Sequence, residues 1–198
     1  MKVILGSASP RRRGILSIFF NDFSVMAPDV VETAMSDETP EFFAMRTSID
    51  KCAECLKNIT DGDFLLITSD TIVAIGSTIL GKPSGTENAR QTLLMLSGKN
   101  HRVITALTLH FSSAGKSIRE TRIETTNVKF RDINPATADE YLSKVDCLDK
   151  AGSYAVQEHG DLIIESVNGS ISSVIGFPCG LFIKMMNDMG ILGLFTGV

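Results

Sequence analysis

The chain has 198 residues, 43% hydrophobic and 21% charged, which fits one or at most two compact domains and excludes collagen-like, coiled-coil and wholly disordered chains. Lysine and arginine total 19 against 23 acidic residues, a net charge of −4. No global charge therefore draws nucleic acid or an anionic membrane, and an anionic ligand has to be held locally. The apolar run 3–5 is too short for a signal peptide, and the run 174–189 is broken by Gly176, Pro178, Gly180 and Lys184, so neither a leader nor a membrane span is expected and the location predicted is cytoplasmic. Cys52, Cys55, Cys147 and Cys179 lack framework spacing and are expected as thiols.

In chain order, residues 3–5 read as a short buried strand running into Gly6-Ser7-Ala8-Ser9. Ser9 is the expected N-cap and Pro10 the first helical residue. Ile15, Leu16, Phe19 and Phe20 give that helix an apolar face until Asn21-Asp22, after which residues 23–27 are extended. Thr39-Pro40 opens the clearest helix, with Phe42, Met45, Ile49, Cys52, Leu56 and Ile59 as its apolar stripe and Lys51 facing solvent. Residues 64–68 and 71–75 read as strands on either side of Ser69-Asp70, and Gly76-Ser77 as a hairpin turn into 78–80. A helix follows from Thr86 as N-cap to a stop at Gly98. Residues 101–111 and 117–130 form a long antiparallel hairpin around a 112–116 loop. Asn134-Pro135 caps a helix through Tyr141, residues 162–167 and 172–175 are expected strands, and 178–189 is the closing helix. Interleaved helices and strands with an antiparallel hairpin make this a mixed α/β chain.

Ser7-Ala8-Ser9-Pro10-Arg11-Arg12-Arg13 is the strongest local signal. A polar turn between strand and helix offers N–H groups to an anion, and arginines add bidentate phosphate contacts. Positive charge in a first turn opposes the helix dipole by roughly 0.3–1 kcal/mol per residue, so these arginines ask for an anion or a carboxylate partner. Asp70, between two apolar runs, suits a metal ligand or a proton acceptor, with a strand-end turn cap as the plainer alternative. Glu32 could join it. Lys82, fixed by Pro83, and Lys51 carry little signal by pattern alone. Cys52-Ala53-Glu54-Cys55 matches a redox or half-zinc spacing but lies inside a helix with no second pair, so buried thiols are expected. His101, His110 and His159 have neither metal-ligand spacing nor a nucleophile partner.

Taken together, Ser7-x-Ser9-Pro10-Arg11-Arg12, Ser69-Asp70-Thr71-Ile72-Val73, Gly81-Lys82-Pro83, Leu96-Ser97-Gly98 with His101, Lys150-Ala151-Gly152-x-Tyr154 and Gly169-Ser170 before Gly176-Phe177-Pro178 occur in order. The chain resembles the Maf family of nucleoside triphosphate pyrophosphatases over nearly its whole length. The resemblance implies a single Maf-like domain over residues 1–198 with an elongated mixed sheet and flanking helices, like the inosine triphosphate pyrophosphatases, two lobes bounding a cleft. It implies cleavage of a nucleoside triphosphate, at the α-phosphorus, to monophosphate and pyrophosphate with a divalent cation, Mg²⁺ or Mn²⁺. Asp70 looks like the family's proton acceptor, Ser7, Arg11, Arg12, Lys51 and Lys82 like phosphate ligands, and Glu32 with Asp70 like the metal-side carboxylates. Arg11, Thr71 and Gln157 are the specificity positions; Thr71 and Gln157 resemble the branch acting on dTTP and UTP. A Gln amide pairs with the O4 acceptor and N3–H donor of uracil or thymine, whereas a carboxylate suits the adjacent donors of guanine. Activity on 7-methyl-GTP or ITP, and a non-catalytic nucleotide-binding regulator of cell division, stay open as alternatives. Nucleic acid and membrane partners are not expected, and a homodimer stays open.

Overall fold

A computed structural model describes residues 1–60 and 62–195. The strands are β1 (Lys2–Gly6), β2 (Ser24–Val25), β3 (Phe64–Ile75), β4 (Thr78–Leu80), β5 (Asn100–Ser113), β6 (Lys116–Phe130) and β7 (Ile164–Asn168). The helices are α1 (Pro10–Leu16), α2 (Pro40–Leu56), α3 (Thr86–Leu96), α4 (Pro135–Lys144), α5 (Ile171–Ile175) and α6 (Cys179–Asp188). The strands form one sheet in the order β2-β1-β3-β5-β6-β7, with β4 paired to β3, the mixed α/β architecture expected from the sequence. The chain divides into two compact units, Met1–Asp70 with Thr105–Glu124 and Gly176–Val198, and Thr71–Ile104 with Thr125–Ile175.

In the first unit β1 runs parallel to β2 and to β3, Ile4 opposite Ser24 and Leu66. Both faces of these strands are covered, so they are continuous apolar runs. Val3, Leu5, Leu65 and Ile67 pack with Leu107, Leu109, Phe111, Phe182 and Met185 on one face. Ile4, Phe64 and Leu66 meet Cys52 and Cys55 of α2 on the other. Phe19 stands edge-on to Phe182 at 5.1 Å between ring centres, but α1 itself ends at Leu16, a turn before the expected stop.

Helix α2 is rotated relative to its hydropathy pattern. Phe42 is 68% exposed, while the inner face carries Phe43, Ala44, Thr47, Ser48, Lys51, Cys52 and Cys55. The polar residues are accommodated because their partners are also polar: Thr68 Oγ1 donates to the Ser48 carbonyl at 2.9 Å, and Ser48 Oγ lies 2.8 Å from Thr108 Oγ1.

The second unit contains the ends of β3, β5 and β6 with β4, antiparallel to β3, and β7, antiparallel to β6. Its core joins Leu93 and Leu96 of α3, Tyr141 of α4, and Val73, Val103, Val128, Phe130, Tyr154 and Ile163. The β5–β6 connection is only Ala114-Gly115, both at positive φ, as a tight twisted hairpin requires. It is shorter than the loop expected. Two further expectations change. Gly85, not Thr86, is the N-cap of α3. Residues 172–175 lie in the helix α5, not a strand, because Ser170 Oγ accepts from Ser173 N at 3.2 Å and the Ser170 carbonyl from Val174 N at 3.2 Å.

Gly152 has φ +69°, and a Cβ on it would lie 2.7 Å from Val73 Cγ2; its N–H donates to the Gly81 carbonyl at 3.1 Å. Glycine alone satisfies both the left-handed backbone and the contact with β3. Gly152→Ala is expected to cost about 1–3 kcal/mol, read as a lower urea midpoint with unchanged slope. An unchanged midpoint would refute the close approach.

Candidate active site

The first strand reaches the site through a close crossing. A Cβ on Gly6 would lie 2.5 Å from Thr68 Cγ2 and 2.9 Å from Cys55 Sγ, so glycine lets β1 lie tight against β3 and α2 just before the polar turn. Ser7 is buried there, and its Oγ accepts from Ser9 N and from Arg12 Nη1, both at 3.2 Å. Ser9 caps α1 by accepting from Arg12 N, as the sequence predicts. Arg12 folds back from the helix, its Nε donating to the Gly176 carbonyl at 2.9 Å, a carbonyl that also accepts from Ser69 Oγ at 3.2 Å. The helix has only seven residues, so the cationic character of this turn comes from side chains rather than from a long macrodipole.

Asp70 does not sit at a strand end. Residues 64–75 are one continuous strand, and Asp70 is buried in it with its Oδ1 2.6 Å from Lys51 Nζ. Lys51, expected to face solvent, is only 6% exposed. Its ammonium also lies 2.6 Å from Glu32 Oε1, so one cation holds two carboxylates. An unpaired charge in this position would be costly, and the pairing explains how α2 can turn a lysine inward. Burial presses the Arg12 guanidinium toward losing its charge, while Asp70 and Glu32 act in the opposite direction. Strand alternation carries Thr68 and Asp70 toward α2 and Ser69 toward Gly176.

Ser7, Arg11, Arg12, Glu32, Lys51 and Asp70 all belong to the first unit; Thr71, Lys82 and Gln157 belong to the second. Thr71 follows Asp70 directly on β3 and is half-buried, whereas Lys82, just after β4, and Gln157 are exposed. The Gln157 amide donates to Glu158 Oε1 at 3.2 Å. The backbone before it is fixed: Tyr141 Oη accepts from Ala155 N at 2.9 Å, and Tyr154 Oη lies 2.8 Å from His101 Nε2.

Glu32 and Asp70 offer hard oxygen donors held on a single charge, the donor chemistry of Mg²⁺ and Mn²⁺. Among the described residues no group of three or more His, Cys, Asp and Glu could hold a metal ion. The pair thus fits a cation that takes one or two protein carboxylates and completes its shell with substrate phosphates and water. Other chemistries are poorly served. Burial pushes His101 down to about 4 and Cys52, Cys55 and Cys147 up to about 11. The imidazole is thereby a weak base and the thiols are not nucleophiles near neutrality. Among the described residues no helix is long and apolar enough to cross a membrane. The Gly176 carbonyl, which holds Arg12 and accepts from Ser69, belongs with Ser69 to the sequence motifs, but neither carried a signal for this role.

The profile of the family described as Maf-like protein matches residues 2–189. A dTTP/UTP pyrophosphatase of Thermotoga maritima is 34% identical over 190 residues, covering 96% of this chain and 90% of the relative. One of Syntrophus aciditrophicus is 37% identical over 196 residues (99% and 93%), and one of Clostridioides difficile 32% over 198 residues, the whole of both chains. The solved structure of the Staphylococcus aureus Ham1 protein superposes with a TM-score of 0.53 at 14% identity over 96% of this chain and 100% of that one, a likeness of fold. The matched span runs from the first residue of β1 to the residue after α6 and contains the Ser7 turn, Lys51 and Asp70: the chain belongs to the Maf family.

Proposed function

We propose that this protein is a nucleoside triphosphate pyrophosphatase that hydrolyses dTTP and UTP to the nucleoside monophosphate and pyrophosphate. The observation that carries the reading is the buried Lys51–Asp70 pair, with the exposed Glu32 on the same ammonium, in the same unit as Ser7 and Arg12, a grouping of charges suited to phosphoryl chemistry, and relatives bearing that name across nearly the full length add to it.

In this reading Asp70 accepts a proton from the water that attacks the α-phosphorus. A bond forms from the water oxygen to phosphorus, the bond from the α-phosphorus to the bridging oxygen breaks, and pyrophosphate leaves with the electron pair. Ser7, Arg11, Arg12, Lys51 and Lys82 bind the phosphates, their cations offsetting charge on the non-bridging oxygens. Lys51 is the residue whose partners change, since it exchanges carboxylate oxygens for phosphate oxygens, and a lysine suits this as a compact charge on a flexible stem. Glu32 and Asp70 would hold Mg²⁺ or Mn²⁺, which when bound lowers the pKa of a water and neutralises phosphate charge. Arg11, Thr71 and Gln157 select the nucleotide, the Gln157 amide leaving Glu158 to pair with the O4 and N3–H of the pyrimidine. The substrate pool and the free thiols favour the cytoplasm, with no nucleic acid or membrane partner in the reaction.

The test is pyrophosphate release from UTP, dTTP, CTP, 7-methyl-GTP and ITP with Mg²⁺, with Mn²⁺ and with chelator. Metal-dependent release favouring UTP and dTTP is expected. Preference for 7-methyl-GTP or ITP would overturn the substrate, and binding without turnover would move the protein to a regulator.

Asp70→Asn is expected to keep the fold, read by circular dichroism, and to lower kcat by about 10²–10⁴-fold. Wild-type turnover in that variant would remove Asp70 from the role of base. Gln157→Glu is expected to lower kcat/KM for UTP and dTTP by roughly tenfold or more, the worth of one mismatched hydrogen bond; an unchanged ratio of UTP to 7-methyl-GTP turnover would exclude Gln157 from base selection.

A further inference from the structure

Glu32 stands on a segment without regular structure. The last ladder bond of the β2 edge is Met26 N to the Leu5 carbonyl at 2.9 Å, and helix begins again only at Pro40. Such a stretch has no backbone ladder to fix a carboxylate in place. Helix α2 supplies the fixing at two adjacent positions. Lys51 takes Glu32 itself, and Arg46 Nη2 donates to the carbonyl of Thr33, the next residue, at 3.0 Å.

Arg46 does this while tying the end of the same segment. Its Nε donates to Glu38 Oε1 at 2.7 Å and its Nη2 to Glu38 Oε2 at 2.9 Å, a bidentate pair, and Nη1 reaches Asp50 Oδ2 at 3.1 Å. Glu38 Oε2 in turn accepts from Met35 N at 3.0 Å, closing the turn around Asp37, which has φ +62°. The Glu38 side chain is only 6% exposed. Hydrogen bonding to Arg46 holds its carboxyl below the ordinary range, and Glu38 and Asp50 hold the guanidinium above its own. The Arg46 guanidinium also lies over the Phe43 ring, 5.4 Å from its centre.

We infer that Arg46 is a positioning residue for Glu32: by clamping Thr33 and Glu38 to α2 it fixes where the metal-side carboxylate stands. Lysine cannot replace it, because a point ammonium cannot present a planar fork to Glu38 and reach the Thr33 carbonyl together. The inference rests on the reading of Glu32 as a metal-side carboxylate, and groups that orient such ligands typically contribute about 10–100-fold to metal affinity.

The test measures Mn²⁺ binding by electron paramagnetic resonance, with a non-hydrolysable UTP analogue present, in wild type, Arg46→Met, Arg46→Lys and Glu32→Gln. Hydrogen exchange across residues 31–37 is followed in parallel. Arg46→Met is expected to weaken Mn²⁺ binding by about 10–100-fold and to speed exchange in 31–37, with Arg46→Lys in between and analogue affinity in chelator unchanged. Should Arg46→Met melt, Glu38→Gln removes the charged acceptor while keeping its size, and the same Mn²⁺ weakening is expected of it. Wild-type Mn²⁺ affinity in the Arg46 and Glu38 variants, with Glu32→Gln weakened, would overturn the positioning role alone. Wild-type affinity in Glu32→Gln would overturn the metal role of Glu32 and the inference with it.

Discussion

One buried ammonium organises the first unit. Lys51 Nζ lies 2.6 Å from both Asp70 and Glu32, and this arrangement is stable only if the helix that carries the lysine turns a polar face inward. Helix α2 therefore places Thr47, Ser48 and Lys51 against the sheet, where apolar side chains would pack with less loss. Ser48, Thr68, Thr108 and Thr121 form a chain of hydrogen bonds across this interface, while the Thr47 hydroxyl is buried in it without a partner among the described residues. The apolar packing is correspondingly concentrated on the opposite face of the same strands, with Leu5, Leu65, Ile67, Phe177, Phe182 and Met185. The sheet is thus asymmetric in purpose, one face holding the unit together and the other holding charge.

The second unit solves a different problem. Its elements fix backbone rather than charge: Tyr154 stands edge-on to Phe130 and bonded to His101, Tyr141 grips both backbone groups of Ala155, and Gly152 hangs from Gly81. Burial keeps His101 neutral, and the one buried cation of this unit among the described residues, Lys150, is paired with Asp149 at 2.9 Å. It ends in an exposed amide at Gln157, which donates to Glu158 Oε1. In the proposed reading such a rigid stem with an exposed tip would let hydrogen-bond pattern discriminate at little cost of ordering.

Much of this was legible in the sequence because local signals and tertiary context agree: Ser9 and Asn134 are the N-caps expected, and Gly76-Ser77 is the turn expected. The misreadings share a cause. Hydropathy placed Phe42 inward and Lys51 outward, since it cannot register that a lysine will find two carboxylates distant in sequence. Asp70 interrupts an apolar run, so two strands were expected on either side of it with a strand-end turn cap as the plainer alternative for the residue, although a buried acid with a partner continues a strand. The β-branched Ile and Val of 172–175 suggested a strand, but a serine cap decided for helix. Ser7, Arg12 and Asp70 could be picked out as candidates from motif chemistry; Arg46 could not, because Glu38, eight residues back, and the Thr33 carbonyl become its partners only when the irregular segment folds over α2.

The two carboxylates on Lys51 differ in how they are held, and the difference matches the tasks proposed for them. Asp70 comes from the middle of a continuous twelve-residue strand of the sheet, so its backbone is located by regular structure. A proton acceptor needs that, since a small misplacement from the attacking water is costly in rate. Glu32 comes from irregular chain, tied at Lys51, at Thr33 and at Glu38, and its side chain is 36% exposed. In the proposed reading these ties fix the backbone that carries Glu32, while the exposure of its side chain leaves room for substrate and water to complete the shell of a hard cation. Lys51 joins the group held by the sheet to the group held by side-chain ties. In the proposed reaction a turn of Lys51 to a phosphate would release both carboxylates together, so that charge engaged in the fold at rest would become charge available to the substrate.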